Sequence, residues 1–126
     1  MLFVEKESFQ KWLDLYRNAW TSLDPILITN LFSKNAKYYE KPFMEPFSGL
    51  GSIKQYWEIV SQTQKNVTFD YEIIGLSNDT GVAHWKASFE RKQQKIALDG
   101  VLVAQFDPDG KCRSFREWWT SQKTPI

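Results

Sequence analysis

From Phe9 the apolar residues return at helical spacing, through Trp12, Leu13, Tyr16 and Trp20. Gln10, Lys11, Asp14 and Arg17 fill the opposite side. The pattern predicts an amphipathic helix with one aromatic stripe. Asp24-Pro25 restarts a helix, with Asp as N-cap and Pro at the first helical position, and Leu27, Ile28 and Leu31 are its expected buried side. Ala36 to Glu40 reads as a short strand. Lys41 to Gly51 holds two prolines and two glycines and reads as a loop, yet it carries Phe43, Met44 and Phe47, which are expected to cover something. Ser52 and Gln55 match a capping box, and Ile53, Tyr56, Trp57 and Val60 form the inward stripe of a third helix.

After Lys65 the period changes to two. Four strands are predicted, at about 67–76, 82–91, 95–106 and 111–121, and Asp107-Pro108-Asp109-Gly110 is the strongest turn signal between them. Short turns between consecutive strands make an antiparallel meander, and strands of this length twist and coil. The predicted fold class is therefore α+β: N-terminal helices packed in the concave side of a long, curved antiparallel sheet, in one domain over residues 1–126. Alternation puts Ala83, Trp85, Ala87 and Phe89 on one face, with His84, Lys86, Ser88 and Glu90 on the other. It sets Phe115, Glu117 and Trp119 opposite Ser114, Arg116 and Trp118. The strand from Lys95 to Phe106 is apolar on both sides, through Leu98, Leu102 and Ala104 on one and Val101 and Val103 on the other. A strand covered twice implies a second copy on the convex face, hence a homodimer.

Composition narrows the function. Sixteen basic and fifteen acidic residues give a net charge of +1, and the basic residues are scattered. No long-range field favours nucleic acid or an anionic membrane. No apolar run approaches a membrane span, and Met1-Leu2-Phe3-Val4 is too short for a signal peptide. The one cysteine, Cys112, allows no internal disulfide and suits a cytoplasmic setting. One histidine and one cysteine make a transition-metal site a poor expectation, and no cofactor-binding glycine loop is present. Six Trp, nine Phe and five Tyr exceed what the core of so small a chain needs, which predicts a walled cavity for a small hydrophobic molecule.

The order and spacing of several short motifs resemble the nuclear transport factor 2-like superfamily, and within it the SnoaL-like group. They are Ala19-Trp20, Leu31-Phe32, Tyr39 with Pro42, Gly51 with Ile53 and Tyr56-Trp57, and His84-Trp85-Lys86-Ala87-Ser88-Phe89. Leu98-Asp99-Gly100, Phe106-Asp107-Pro108-Asp109-Gly110 and Arg116-Glu117-Trp118-Trp119 complete them. The resemblance covers nearly the whole chain. Its members include cyclases, isomerases, hydrolases and non-catalytic modules, so the fold does not settle function. Beside the ketosteroid isomerases, Tyr16 falls at the oxyanion-stabilising tyrosine, Glu40 at the proton-abstracting carboxylate and Trp119 on a pocket ring. Leu102 stands where those enzymes keep a second, protonated acid. Pro42 is displaced by one residue relative to the family's proline.

Two readings stand for each candidate. Glu40 is a general base with a raised pKa, or it pairs with Lys37 or Lys41 at a solvated rim. Tyr16 donates to a developing enolate oxygen, or it is one more core ring. Glu117, set by parity among apolar residues, orients a ligand, shares a proton with Glu40 or accepts a structural hydrogen bond. Asp99 and Arg116 are expected to form a cross-strand or intersubunit ion pair. The expected pocket lining is Tyr16, Trp20, Glu40, Phe43, Phe47, Tyr56, Trp57, Trp85, Leu102, Glu117 and Trp119, with Glu40 and Tyr16 as the catalytic candidates. The function these imply is ligand binding with acid–base catalysis of the isomerase, cyclase or hydratase type, or a non-catalytic ligand-binding or dimerisation module.

Overall fold

A computed structural model describes residues 4–126. The apolar start at Met1–Phe3 lies outside the described residues. The first helix, α1 (Lys6–Thr21), buries Phe9, Trp12, Leu13, Tyr16, Ala19 and Trp20 along the stripe that the sequence predicts. The short α2 (Pro25–Thr29) is capped by the Asp24 carboxylate, which accepts from the amides of Ile26 and Leu27. Ile28 and Leu31 are buried, but Leu27 is exposed, because five residues of helix offer too narrow a face to hide all three.

The first strand, β1 (Phe32–Tyr39), starts four residues earlier than expected. A two-residue β2 (Phe47–Ser48) follows, then α3 (Gly49–Thr63). Gly49 enters that helix at φ +83°, so the helix begins before Ser52 and the expected capping box does not form. The long strands are β3 (Lys65–Ser77), β4 (Thr80–Arg91), β5 (Gln94–Phe106) and β6 (Cys112–Pro125). They pair antiparallel in chain order. β1 is the exception, running parallel to β6, and the six-stranded order is β2-β1-β6-β5-β4-β3. The sheet is curved and unclosed.

Strand parity holds. Ala83, Trp85, Ala87 and Phe89 are all buried on the concave side, as are Ile96, Leu102 and Ala104 from β5 and Phe115 from β6. These pack on the α1 stripe: Trp12 meets Phe32, Phe106 and Phe115, and Trp20 meets Trp85 and Phe69. Gly81 makes the approach possible. A Cβ there would stand 2.5 Å from the Phe9 ring, so any side chain would push α1 off β4. Cys112 is buried, its thiol donating to the Ser114 carbonyl at 3.3 Å.

The convex face carries a different chemistry. His84 bonds Asp99 through Nε2 at 2.6 Å and Glu72 through Nδ1 at 3.3 Å. Arg116 lies over the Tyr39 ring at 3.9 Å. The Asp99–Arg116 pair expected within the chain is absent among the described residues: register places Asp99 opposite Thr120 and Arg116 opposite Val103, too far along the strands to meet.

Candidate functional site

Between the concave face, α1 and α3 lies a cavity of about 450 Å³ that opens at the end of β6. α1 contributes Tyr16 and Trp20, and α3 contributes Tyr56 and Trp57. The sheet contributes Tyr38, Trp85, Phe89, Glu117 and Trp119, with Glu40 just beyond the end of β1. A larger depression of about 840 Å³ runs past Thr29, Lys34 and Lys111. Of its four cations, Lys111 is engaged by the Asn30 carbonyl at 2.8 Å, Arg113 by Asp79 and Lys37 by the Ser48 hydroxyl at 3.3 Å, while Lys34 is exposed to solvent. It has no buried titratable group, so the aromatic cavity is the candidate site.

Tyr16, Trp20, Glu40, Tyr56, Trp57, Trp85, Glu117 and Trp119 line the cavity, as the sequence predicts, while three of the predicted residues do not. Phe43 is fully exposed, at a left-handed backbone position with φ +69°. Phe47 stacks on the back of Tyr56 with ring centroids 4.8 Å apart, one layer behind the wall. Leu102 is wholly buried beneath the ring layer.

The polar centre is a chain of hydroxyls ending on a carboxylate. Tyr38 Oη donates to Glu117 Oε2 at 3.3 Å, and the Tyr16 and Tyr38 hydroxyls lie 3.4 Å apart. Glu117 is buried and its pKa is pushed up to about 8, first by burial and then by the charge of Glu40. The Tyr38 hydrogen bond pulls it back. At neutral pH most of it is therefore protonated. Burial also raises Tyr16, Tyr38 and Tyr56 well above the usual phenol range, with the charge of Glu117 adding to it, so all three stay neutral O–H donors. Glu40 is half-buried; burial raises its pKa and the charge of Lys41 opposes the rise. Trp119 Nε1 donates to the Glu40 carbonyl at 3.2 Å and fixes the end of β1 against β6.

Sequence reasoning missed several lining residues, among them Tyr38, Gln64 and the cations Lys41, Arg91 and Lys123. Gln64 accepts from Trp20 Nε1 at 2.8 Å and locks the stripe of α1 to the end of α3. A signal for Tyr38 existed: it shares the parity of Ala36 and Glu40 in the predicted strand. The buried indole N–H groups of Trp57 and Trp85 have no partner among the described residues. No group of His, Cys, Asp and Glu among the described residues is arranged to hold a metal ion.

Helices held inside a curved, open sheet define the nuclear transport factor 2-like superfamily of α+β folds. The SnoaL-like domain matches residues 12–115, and the chain belongs to that family. Among solved structures it resembles the epoxide hydrolase/cyclase-like enzyme SalBIII, which has a role in pyran ring formation in the polyether salinomycin. That likeness has a TM-score of 0.80 at 16% identity, covering 92% of this chain and 93% of that one. A second is a hypothetical protein with a ketosteroid isomerase-like fold from Catenulispora acidiphila DSM 44928, in complex with trimethylamine. It has a TM-score of 0.77 at 13% identity, covering 86% and 85%. A third is RV0760c from Mycobacterium tuberculosis, with a TM-score of 0.84 at 10% identity, covering 96% and 99%. At these identities the likeness is one of fold. No curated protein matches the sequence at a significant level. No helix among the described residues is long and apolar enough to cross a membrane.

Proposed function

We propose that the chain binds a small, mostly apolar molecule in the aromatic cavity and performs acid–base chemistry on a carbonyl compound there. Isomerisation, cyclisation and hydration are the reaction types. The observation that carries this reading is a pair of unlike carboxylates on one cavity: Glu117 fully buried, with its pKa pushed up to about 8, and Glu40 half-buried beside Lys41, whose charge opposes the rise. Two carboxylates whose environments hold them in different protonation states can act as an acid and a base at one pH. Glu40 takes a proton from the carbon beside the carbonyl. Charge then develops on the carbonyl oxygen, and the Glu117 carboxyl or the Tyr16 hydroxyl donates to it. Cyclisation also agrees with what is described for SalBIII.

The test assays wild type, Glu40→Gln and Glu117→Gln against a panel of ketones, lactones and epoxides. General acid–base groups contribute about 10²- to 10⁴-fold, so each variant should lose at least about a hundredfold. A wild type that turns over nothing, and binds apolar ligands equally well after Glu40→Gln, would falsify the catalytic part. That outcome leaves the second reading, a non-catalytic ligand-binding or dimerisation module. Leu102 favours it, since an aliphatic side chain sits where the resemblance to the isomerases expects a second donor. In either case a second copy covers the convex face over Val101, Val103 and Trp118, which is 45% exposed. The lone thiol of Cys112 suits a cytoplasmic, reducing compartment.

A further inference from the structure

The chain as a whole is nearly neutral, but the cavity is not. Lys41, Arg91 and Lys123 line it together with only two carboxylates, Glu40 and Glu117. Among the described residues none of these three cations takes part in an ion pair. Two of them are held by rings instead. Lys41 Nζ lies 4.9 Å from the Trp119 ring centre, and the Arg91 guanidinium lies 5.5 Å from that of Phe89. A ring face attracts a cation without neutralising it. Burial keeps Glu117 largely protonated at neutral pH, which leaves Glu40 as the one opposing charge on the lining. Low-dielectric aromatic walls beside unpaired like charges concentrate their field on whatever enters.

Resting on the cavity reading above, we propose that the ligand is an anionic amphiphile: an apolar ring body among Trp20, Trp57 and Trp85, with a carboxylate towards Arg91 and Lys123 where β4 and β6 end. The charge selects the end that stays outside, and the rings select the end that goes in. The neighbour that holds trimethylamine makes a positively charged ligand a necessary arm of the test.

Three probes share one ring system and differ in charge: 2-naphthoate, 2-naphthamide and 2-naphthylmethylammonium. Each is titrated into the full chain at low and at high salt, followed by the indole resonances in NMR spectra. The carboxylate should bind about fivefold more tightly than the amide at low salt, and the advantage should fade at high salt. The ammonium should bind most weakly. In the double variant Arg91→Gln, Lys123→Gln the carboxylate should lose its advantage, while amide binding changes by less than about twofold. Equal binding of carboxylate and amide, or a preference for the ammonium, overturns the proposal and leaves the cavity reading standing. If no probe moves an indole resonance, the cavity reading falls and the proposal with it.

Discussion

Glu117 and His84 sit on opposite faces of one sheet, and both have raised pKa values for opposite reasons. On the concave side burial strips Glu117 of water and the charge of Glu40 adds to the effect, so the charged form is disfavoured. On the convex side His84 is raised first by its hydrogen bond to Asp99, with Glu72 adding to it, so there the charged form is favoured. One face shifts protons by dehydration and the other by pairing. A single strand can carry both chemistries because alternate residues belong to different solvents.

The largest effect expected from this contrast is on stability against pH. The folded pKa of Glu117 lies above that of an unfolded carboxyl, so its contribution is fully present below about pH 4 and is lost as pH rises to about 8. Wild type should lose on the order of 4–5 kcal/mol across that window, and Glu117→Gln should flatten the curve. Urea denaturation at several pH values measures it; an unchanged slope in the variant would show that Glu117 is hydrated. Next in size is packing. Gly81→Ala forces a Cβ into the Phe9 ring and should cost about 1–3 kcal/mol. Gly75→Ala, where a Cβ meets nothing within 4 Å, should stay within about 0.5 kcal/mol. Thermal unfolding of both variants tests whether the concave side is as tight as the contacts indicate. The smallest effect is at His84. Asp99→Asn removes the principal cause of its raised pKa, so the midpoint read from its ring protons by NMR should fall. Because that pKa is raised, the interaction stabilises the fold below the ordinary histidine range and fades as pH climbs through the folded value. A midpoint that stays put would mean that Glu72 alone holds the ring.

Much of this contrast was legible in the sequence. Period-two alternation in β4 and β6 assigned Trp85, Glu117 and Trp119 to one side and His84 and Trp118 to the other, because a strand has only two faces to choose between. Helical spacing likewise gave the α1 stripe. What escaped depends on partners distant in sequence. The sequence Ser33-Lys34-Asn35 has weak strand character, so pattern alone starts β1 too late; the strand is anchored on either side of that stretch, where Phe32 and Lys37–Tyr39 pair in parallel with β6. Gly49-Leu50-Gly51 reads as a loop by propensity, yet it forms the first turn of α3. Apolar character alone points Phe43 to the lining, and it cannot tell a residue facing inward from one held outward at a left-handed position. The cross-strand form of the Asp99–Arg116 pair fails on register, which the turn Asp107-Pro108-Asp109-Gly110 sets and composition does not.

The lone cysteine has a practical corollary. Burial lifts the Cys112 thiol far above its ordinary range, so the folded protein offers no thiolate to alkylating reagents or mild oxidants. A second cysteine introduced by Ser121→Cys, on the exposed edge of the cavity lining, would react by itself. An environment-sensitive dye or a spin label could then be attached at that rim without removing the native sulfur, giving a direct optical or magnetic report of whatever passes between solvent and the ring-lined interior.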